Sequence, residues 1–204
     1  GDLCPLQEGY STVDRLGCPD ADEDGYSNPS GVWTVDDGAD AFPGDDTQWR
    51  DSDLDGFGDN QAPANLADIC PATYGTSTED RLGCPDTDDD GWSNEGDVFE
   101  YDTTQWADSD SDGYGDNPAP ANTPDDCKDI WGNSTLDRLG CVDSDGDGWS
   151  DAGDAYPEHK LLWSDDDGDG YADQQPLSGS HIGYIGLNGQ MRFTDDCPEV
   201  AGTS

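Results

Sequence analysis

The chain has 204 residues, of which 49 are acidic and 7 basic, for a formal net charge of −42. That field disfavours nucleic acid and anionic membrane surfaces, both of which need a basic face, and no stretch approaches the roughly 20 apolar residues of a membrane-spanning helix. Hydrophobic residues make up only 31% with a mean hydropathy of −0.91, as in disordered chains. Against disorder stand seven Cys at regular spacings and seven Trp and eight Tyr at repeated positions, which suit a small-core protein that depends on metal and disulfides to fold.

In chain order the sequence repeats. A first unit, 2–67, opens on Asp2 and Cys4, continues through Gly9 and Ser11-Thr12, and closes a Cys loop on Asp14-Arg15-Leu16-Gly17-Cys18. Two residues on, an acidic loop D-x-D-x-D-G begins: Asp20, Asp22, Asp24, then Gly25, Tyr26 and Asn28. A nine-residue insertion precedes Asp40, with Phe42 and Trp49 following. A second acidic loop starts two residues after that Trp, with Asp51, Asp53, Asp55, Phe57 and Asp59. A Pro/Ala/Asn-rich spacer then leads to Asp68.

The second unit, 68–124, repeats this order: Cys70, Gly75, Ser77-Thr78, Asp80-Arg81-Leu82-Gly83-Cys84. Its first loop carries Asp86, Asp88, Asp90, Trp92, Asn94 and Asp97; its second, after Trp106, carries Asp108, Asp110, Asp112, Tyr114 and Asp116. The third unit, 125–194, has Asp125, Cys127, Gly132, Ser134-Thr135 and the Cys141 string. Its loops hold Asp143, Asp145, Asp147, Trp149, Asp151 and Asp154, then, after Trp163, Asp165, Asp167, Asp169, Tyr171 and Asp173, before a longer spacer at 174–194. A fourth unit begins at 195–204 with Asp195 and Cys197. Its missing second Cys implies that the chain continues or that Cys197 bonds a neighbouring copy. The absence of an initiator Met and a signal peptide reads as a mature or excised region.

Regular secondary structure should be sparse, because Gly, Pro, Asp and Asn break nearly every window. The expected fold is mostly irregular, stabilised by calcium and disulfides in tandem repeats, with short helical turns. One exception is 181–193, where Asn188-Gly189 between alternating apolar residues predicts a β-hairpin.

The acidic spacing converges carboxylates of positions one, three and five on one point while Gly takes the bend, as in calcium loops of the EF-hand type. The carbonyl of position seven (Tyr26, Phe57, Trp92, Tyr114, Trp149, Tyr171) is a candidate ligand, and its ring is free to pack in a thin apolar core. Position nine (Asn28, Asp59, Asn94, Asp116, Asp151, Asp173) binds directly or through water. Asp40, Asp97 and Asp154 close the first loops; Asp68, Asp125 and Asp195 close the second loops from the next unit. At least six Ca²⁺ sites are expected. Four carboxylates within ~4 Å repel by roughly 1 kcal/mol per pair in water, so the cation is structural. The Cys pairs 4/18, 70/84 and 127/141 each span one loop, contributing on the order of 3 kcal/mol apiece if bonded. They point to an oxidising, extracellular or cell-surface setting.

The string D-x-C-P-x-x-x-G-x-S-T-x-D-R-L-G-C-P-D-x-D-x-D-G, best seen at 68–91, resembles thrombospondin type 3 repeats, especially the version of microbial surface proteins. The resemblance covers nearly the whole chain outside the spacers. It implies an irregular backbone wound around lined-up calcium ions, the Asp positions above as ligands, and a linker, stalk or matrix role. Longer spacers, and Lys128 and Val142 in place of Pro, depart from it.

The expected function is therefore a structural rod, stalk or fibre, assembled from further repeats of a longer chain or further copies. A calcium-dependent adhesin or dockerin-like module that recognises a protein or glycan is the alternative, with Trp33 and Trp131 as candidate sugar platforms. No enzyme is expected, since His159 and His181 recur in no other unit. Asn133 heads an N-glycosylation sequon, and the Ser-Thr pairs are candidate O-glycan sites. Arg15, Arg81 and Arg138 are expected to pair with carboxylates or carbonyls and fix the Cys loops.

Overall fold

A computed structural model describes residues 1–173 together with the backbone of two short strands. Those strands, β1 (Tyr184–Ile185) and β2 (Met191–Arg192), pair antiparallel with Tyr184 opposite Arg192 and Ile185 opposite Met191. This matches the expected hairpin; its turn, like His181, Asp195 and Cys197, lies outside the described residues. Otherwise the backbone is turns and bends, with one 3₁₀ turn at Val35–Asp37 inside the first-unit insertion. That turn is capped by Thr34, whose hydroxyl and amide both bond the Asp37 carboxylate. The expectation of an irregular fold holds.

The chain forms two compact bodies, Gly1–Trp106 and Ala107–Ser204. Their boundary falls inside the second sequence repeat, between its first and second acidic loops. All three expected disulfides form, joining Cys4 to Cys18, Cys70 to Cys84 and Cys127 to Cys141 with Cα atoms 4.9, 5.1 and 5.0 Å apart. Each Cys loop is closed again by its buried serine. The Oγ of Ser11, Ser77 and Ser134 donates to the carbonyl of Arg15, Arg81 and Arg138, and accepts from the amide of the second Cys at 3.0 Å. These serines are no more than 2% exposed, so the serine half of each Ser-Thr pair is closed to a glycan. The sequon of Asn133 stays open, because both Asn133 and its hydroxyl residue, Thr135, are exposed and only the intervening Ser134 is sealed inside.

The interior differs from the aromatic core expected. Fully buried side chains are Gln48, Gln105, Leu162, serines, aspartates and the second Cys of each pair. The position-seven rings are half-buried, and two of them stack on a repeat Trp at the flank of a first loop: Tyr26 on Trp49 at 5.2 Å and Trp92 on Trp106 at 5.9 Å, within 8° and 11° of parallel. The physical reason is supply. With so few aliphatic side chains, each unit packs around hydrogen-bonded polar groups, and the rings shield those bonds from the side.

In the first unit the residue before the repeat Trp is the hub of this polar interior. Gln48 donates from Nε2 to the carbonyls of Asn60 and Asn65 at 3.0 and 2.7 Å, and its Oε1 accepts from the Asn60 amide at 2.9 Å. It thereby ties the second loop to its spacer. The third unit has Leu162 instead, which packs with Ala172 and Tyr156 in a small apolar cluster.

Candidate metal centres

Six copies of one backbone shape build the sites. In each acidic loop residues four and six are left-handed: φ is 67° at Glu23 and Leu54, 63° at Asp89, 66° at Ser111, 76° at Gly146 and 74° at Gly168, and 88–103° at the glycine of position six. Those two reversals turn backbone amides inward. The position-one carboxylates of Asp20, Asp51, Asp86, Asp108, Asp143 and Asp165 each accept from the amides of residues four and six at 2.6–3.0 Å. Position-five carboxylates accept the amide of residue seven at 2.7–3.0 Å, and Asp55 and Asp112 accept a second amide from the following Cys loop.

What these bonds leave over is the informative part. At Asp22, Asp24, Asp88, Asp90, Asp145, Asp147 and Asp110 one oxygen, Oδ2, is buried with no hydrogen-bond partner, and at Asp53 both oxygens are. Buried polar atoms are satisfied in the great majority of cases, so oxygens left bare at the same positions in loop after loop mark places for cations. Carboxylate oxygens in the triads of Asp20, Asp51, Asp86, Asp108 and Asp143 lie within 4.8 Å of one another. These acidic clusters can hold metal ions.

The closing acids arrive where the spacing places them. Asp40, Asp97 and Asp154 donate their amides to the carbonyls of Ser27, Ser93 and Ser150 at 2.9–3.0 Å. The insertion in the first unit thus loops out without moving its closing residue. Asp68 and Asp125, from the next unit, sit against Asp53, Asp55 and Asp59, and against Asp110, Asp112 and Asp116. Each closing acid spends one oxygen on the amide two residues on, at 2.6–2.7 Å. The other oxygen of Asp40, Asp68 and Asp125 is buried and bare.

Electrostatics agree. Burial, and then the neighbouring carboxylates, overcome the amide bonds and push Asp40 up to about 7 and Asp68, Asp125 and Asp154 to about 6. Asp97 is raised for the same reasons.

Two groups of expected ligands stand differently. Position nine folds back onto position two. Asn28 and Asn94 accept the amides of Ala21 and Thr87, while Asp59, Asp116 and Asp151 accept both amide and hydroxyl of Ser52, Ser109 and Ser144; Asp173 accepts from Asp166 and Ser164. These residues latch the loop. Position seven is open: among the described residues no hydrogen bond goes to the carbonyls of Tyr26, Phe57, Trp92, Tyr114 or Trp149, which leaves them available as ligands.

A residue that the sequence reading passed over fastens each first loop to its Cys loop. Asp14, Asp80 and Asp137, the acid of the D-R-L-G-C string, accept both amide and hydroxyl of Ser27, Ser93 and Ser150 at 2.5–2.9 Å. Burial pushes these carboxyls up, but the serine bonds win and hold them below the ordinary range. Their neighbouring arginines share no common partner. Arg81 pairs with Glu95, Arg138 donates to the Cys127 sulfur at 3.6 Å, and Arg15 lies over the Trp33 ring at 5.4 Å. Trp33 also donates to Asp14 at 3.3 Å; Trp131 is exposed. The signal for the aspartate was its recurrence at one position, shared with the arginine.

No family model matches the chain, and no curated protein matches it. No helix among the described residues is long and apolar enough to cross a membrane.

Proposed function

We propose that the protein is an extracellular calcium-binding structural protein, whose tandem repeats are held by Ca²⁺ into a stiff rod, stalk or fibre of the thrombospondin type 3 kind. One observation carries this reading: buried, bare carboxylate oxygens recur at positions three and five and at the closing acid. All-oxygen donor sets of aspartates and backbone carbonyls favour a hard cation, and the irregular, adaptable loops suit Ca²⁺ better than octahedral Mg²⁺. The second loops borrow Asp68 and Asp125 from the following unit, so a bound ion would restrain both neighbours at once. Three disulfides support an oxidising location.

Chelation tests it. The stacked pair of Trp92 on Trp106 is a chiral reporter, and removing calcium should collapse its near-ultraviolet circular dichroism, with recovery on calcium and not on an equal concentration of magnesium. A spectrum indifferent to chelation would remove calcium from the structural role. Electron microscopy with and without calcium separates a fibre from a monomeric stalk.

The adhesin reading has one observation in its favour. The first unit alone carries the insertion, and there a cleft of about 530 Å³ is lined by Tyr26, Val35, Trp49 and Arg50 among others. Quenching of tryptophan fluorescence by glycans, lost in Trp49→Ala, would shift the balance toward it.

A further inference from the structure

The Cys loops of the second and third units are receptors for the acidic loop that precedes them. The Gly75 amide donates to Asp55 Oδ2 at 3.1 Å, and the Gly132 amide to Asp112 Oδ2 at 3.0 Å. Just before each Cys loop, Asp68 and Asp125 add a buried carboxylate to the same acidic loops. Their neighbours Gly83 and Gly140 are so close that an added Cβ would lie 2.3 and 2.4 Å from the Asp68 and Asp125 Oδ1 atoms, and 3.1 and 3.2 Å from Oδ2 of Asp55 and Asp112.

The Cys4–Cys18 loop has the same face in the same form. The Cys4 amide donates to Asp2 Oδ1 at 2.7 Å, as the Cys70 and Cys127 amides do to Asp68 and Asp125 at 2.6 Å. The Leu3 amide bonds the Leu16 carbonyl at 2.8 Å, matching Ile69 to Leu82 and Asp126 to Leu139. A Cβ on Gly17 would lie 2.6 Å from Asp2 Oδ1. The difference lies in covering: Asp68 and Asp125 are buried where Asp2 is exposed, and Gly75 and Gly132 are buried where Gly9 is only half-buried.

We propose that this face, centred on Asp2 and the Gly9 amide, docks a further acidic loop of the pattern D-x-D-x-D-G-(aromatic)-G-D, with one Ca²⁺ shared between that loop and Asp2. The occupant is fixed by chemistry. Both counterparts of the face receive a loop of this type, through an amide-to-carboxylate bond at position five and a carboxylate supplied in return. The shared cation is what lets two acidic surfaces meet, since carboxylates brought together without one repel. The inference rests on the calcium reading of the acidic loops.

The test extends the full chain by placing a second copy of residues 106–124 directly ahead of Asp2, so that the added spacer enters Asp2 as Pro124 enters Asp125. Calcium stoichiometry and affinity are read by titration calorimetry, and the Gly9 amide by NMR hydrogen exchange. The extended chain should bind one more Ca²⁺ than the parent, at the affinity of the internal second loops, with the Gly9 amide newly protected. Asp2→Ala in the extended chain should weaken that one site by roughly tenfold or more, as loss of one charged ligand does, and leave the others unchanged. Asp2 is exposed, so the substitution does not threaten the fold. An added loop that binds equally well with Ala at position 2, or a Gly9 amide that exchanges as before, overturns the docking face while the internal sites still fill. Failure of the internal sites to take calcium would instead sink the calcium reading itself, and this inference with it.

Discussion

Glycine at position eight of a second loop is dictated by the side chain it faces. A Cβ on Gly58 would stand 2.2 Å from Cδ and Oε1 of Gln48, whose amide cannot retreat without abandoning three hydrogen bonds. The third unit solves the same position with Leu162 against Ala172. Gly58→Ala should therefore cost about 1–3 kcal/mol by overpacking. Gln48→Leu should cost about as much, because it strands the Asn60 amide and two carbonyls. The double variant should be milder than the sum, since it rebuilds the pair found in the third unit, and residues in contact couple by about 0.5–3 kcal/mol. Urea unfolding in saturating calcium measures all three; strict additivity would mean that contact does not set the choice. At this scale the sequence was only partly legible. Gly at position six announces its left-handed backbone because few other residues adopt it. Position four adopts one too, yet in the first two units it shows Glu23, Leu54, Asp89 and Ser111, whose residue types give no sign of it. Gln48 and Gln105 read as surface residues until the spacer folds over them, which is a tertiary event.

Between elements, each first loop is fixed to its Cys loop by an aspartate and a serine, not by the arginine between them in the string. Ser93 is 1% exposed, and both its amide and hydroxyl end on Asp80. Asp80→Ala leaves two buried donors unpaired, and should cost about 1–3 kcal/mol while weakening calcium at the loop that Asp97 closes. Arg81→Ala removes an ion pair whose Glu95 partner is largely exposed, and should change stability by less than about 1 kcal/mol. Denaturant melts of the two variants decide it; an Arg81→Ala loss larger than that of Asp80→Ala would reverse the assignment. The disulfides, the six loops and the closing acids were legible because they depend on fixed spacing along the chain. The fastening was not, because Asp and Ser thirteen residues apart carry no distinguishing mark among so many acids, whereas Arg is conspicuous by scarcity.

Across the whole molecule, cation and proton compete for the same oxygens, and that competition gives the protein a pH dependence of unusual sign. Asp40 is pushed up to about 7 and Asp68, Asp125 and Asp154 to about 6, by burial first and crowding of like charge besides. A carboxyl raised in the folded state binds its proton more tightly there than in the unfolded chain. In the calcium-free protein its contribution is thus fully present below the ordinary carboxylate range and is lost as pH rises through 6 to 7. Most proteins lose carboxylate stability on acidification instead. The oppositely shifted Asp14, Asp80 and Asp137 act only below the ordinary carboxylate range, outside this window. Calcium reverses the slope, because it binds the ionised form and protons then displace it. Six ions would still leave the chain near −30, about 12 charges short of its bare −42, so the remaining repulsion is spread over a surface bathed in solvent counter-ions. The calcium-free melting temperature should accordingly fall between pH 5 and pH 8, and in saturating calcium it should hold or rise over the same range. A calcium-free melting temperature that is flat across that window would mean that the crowded carboxylates do not oppose the fold, and the cation would then be a guest of the structure and not one of its parts.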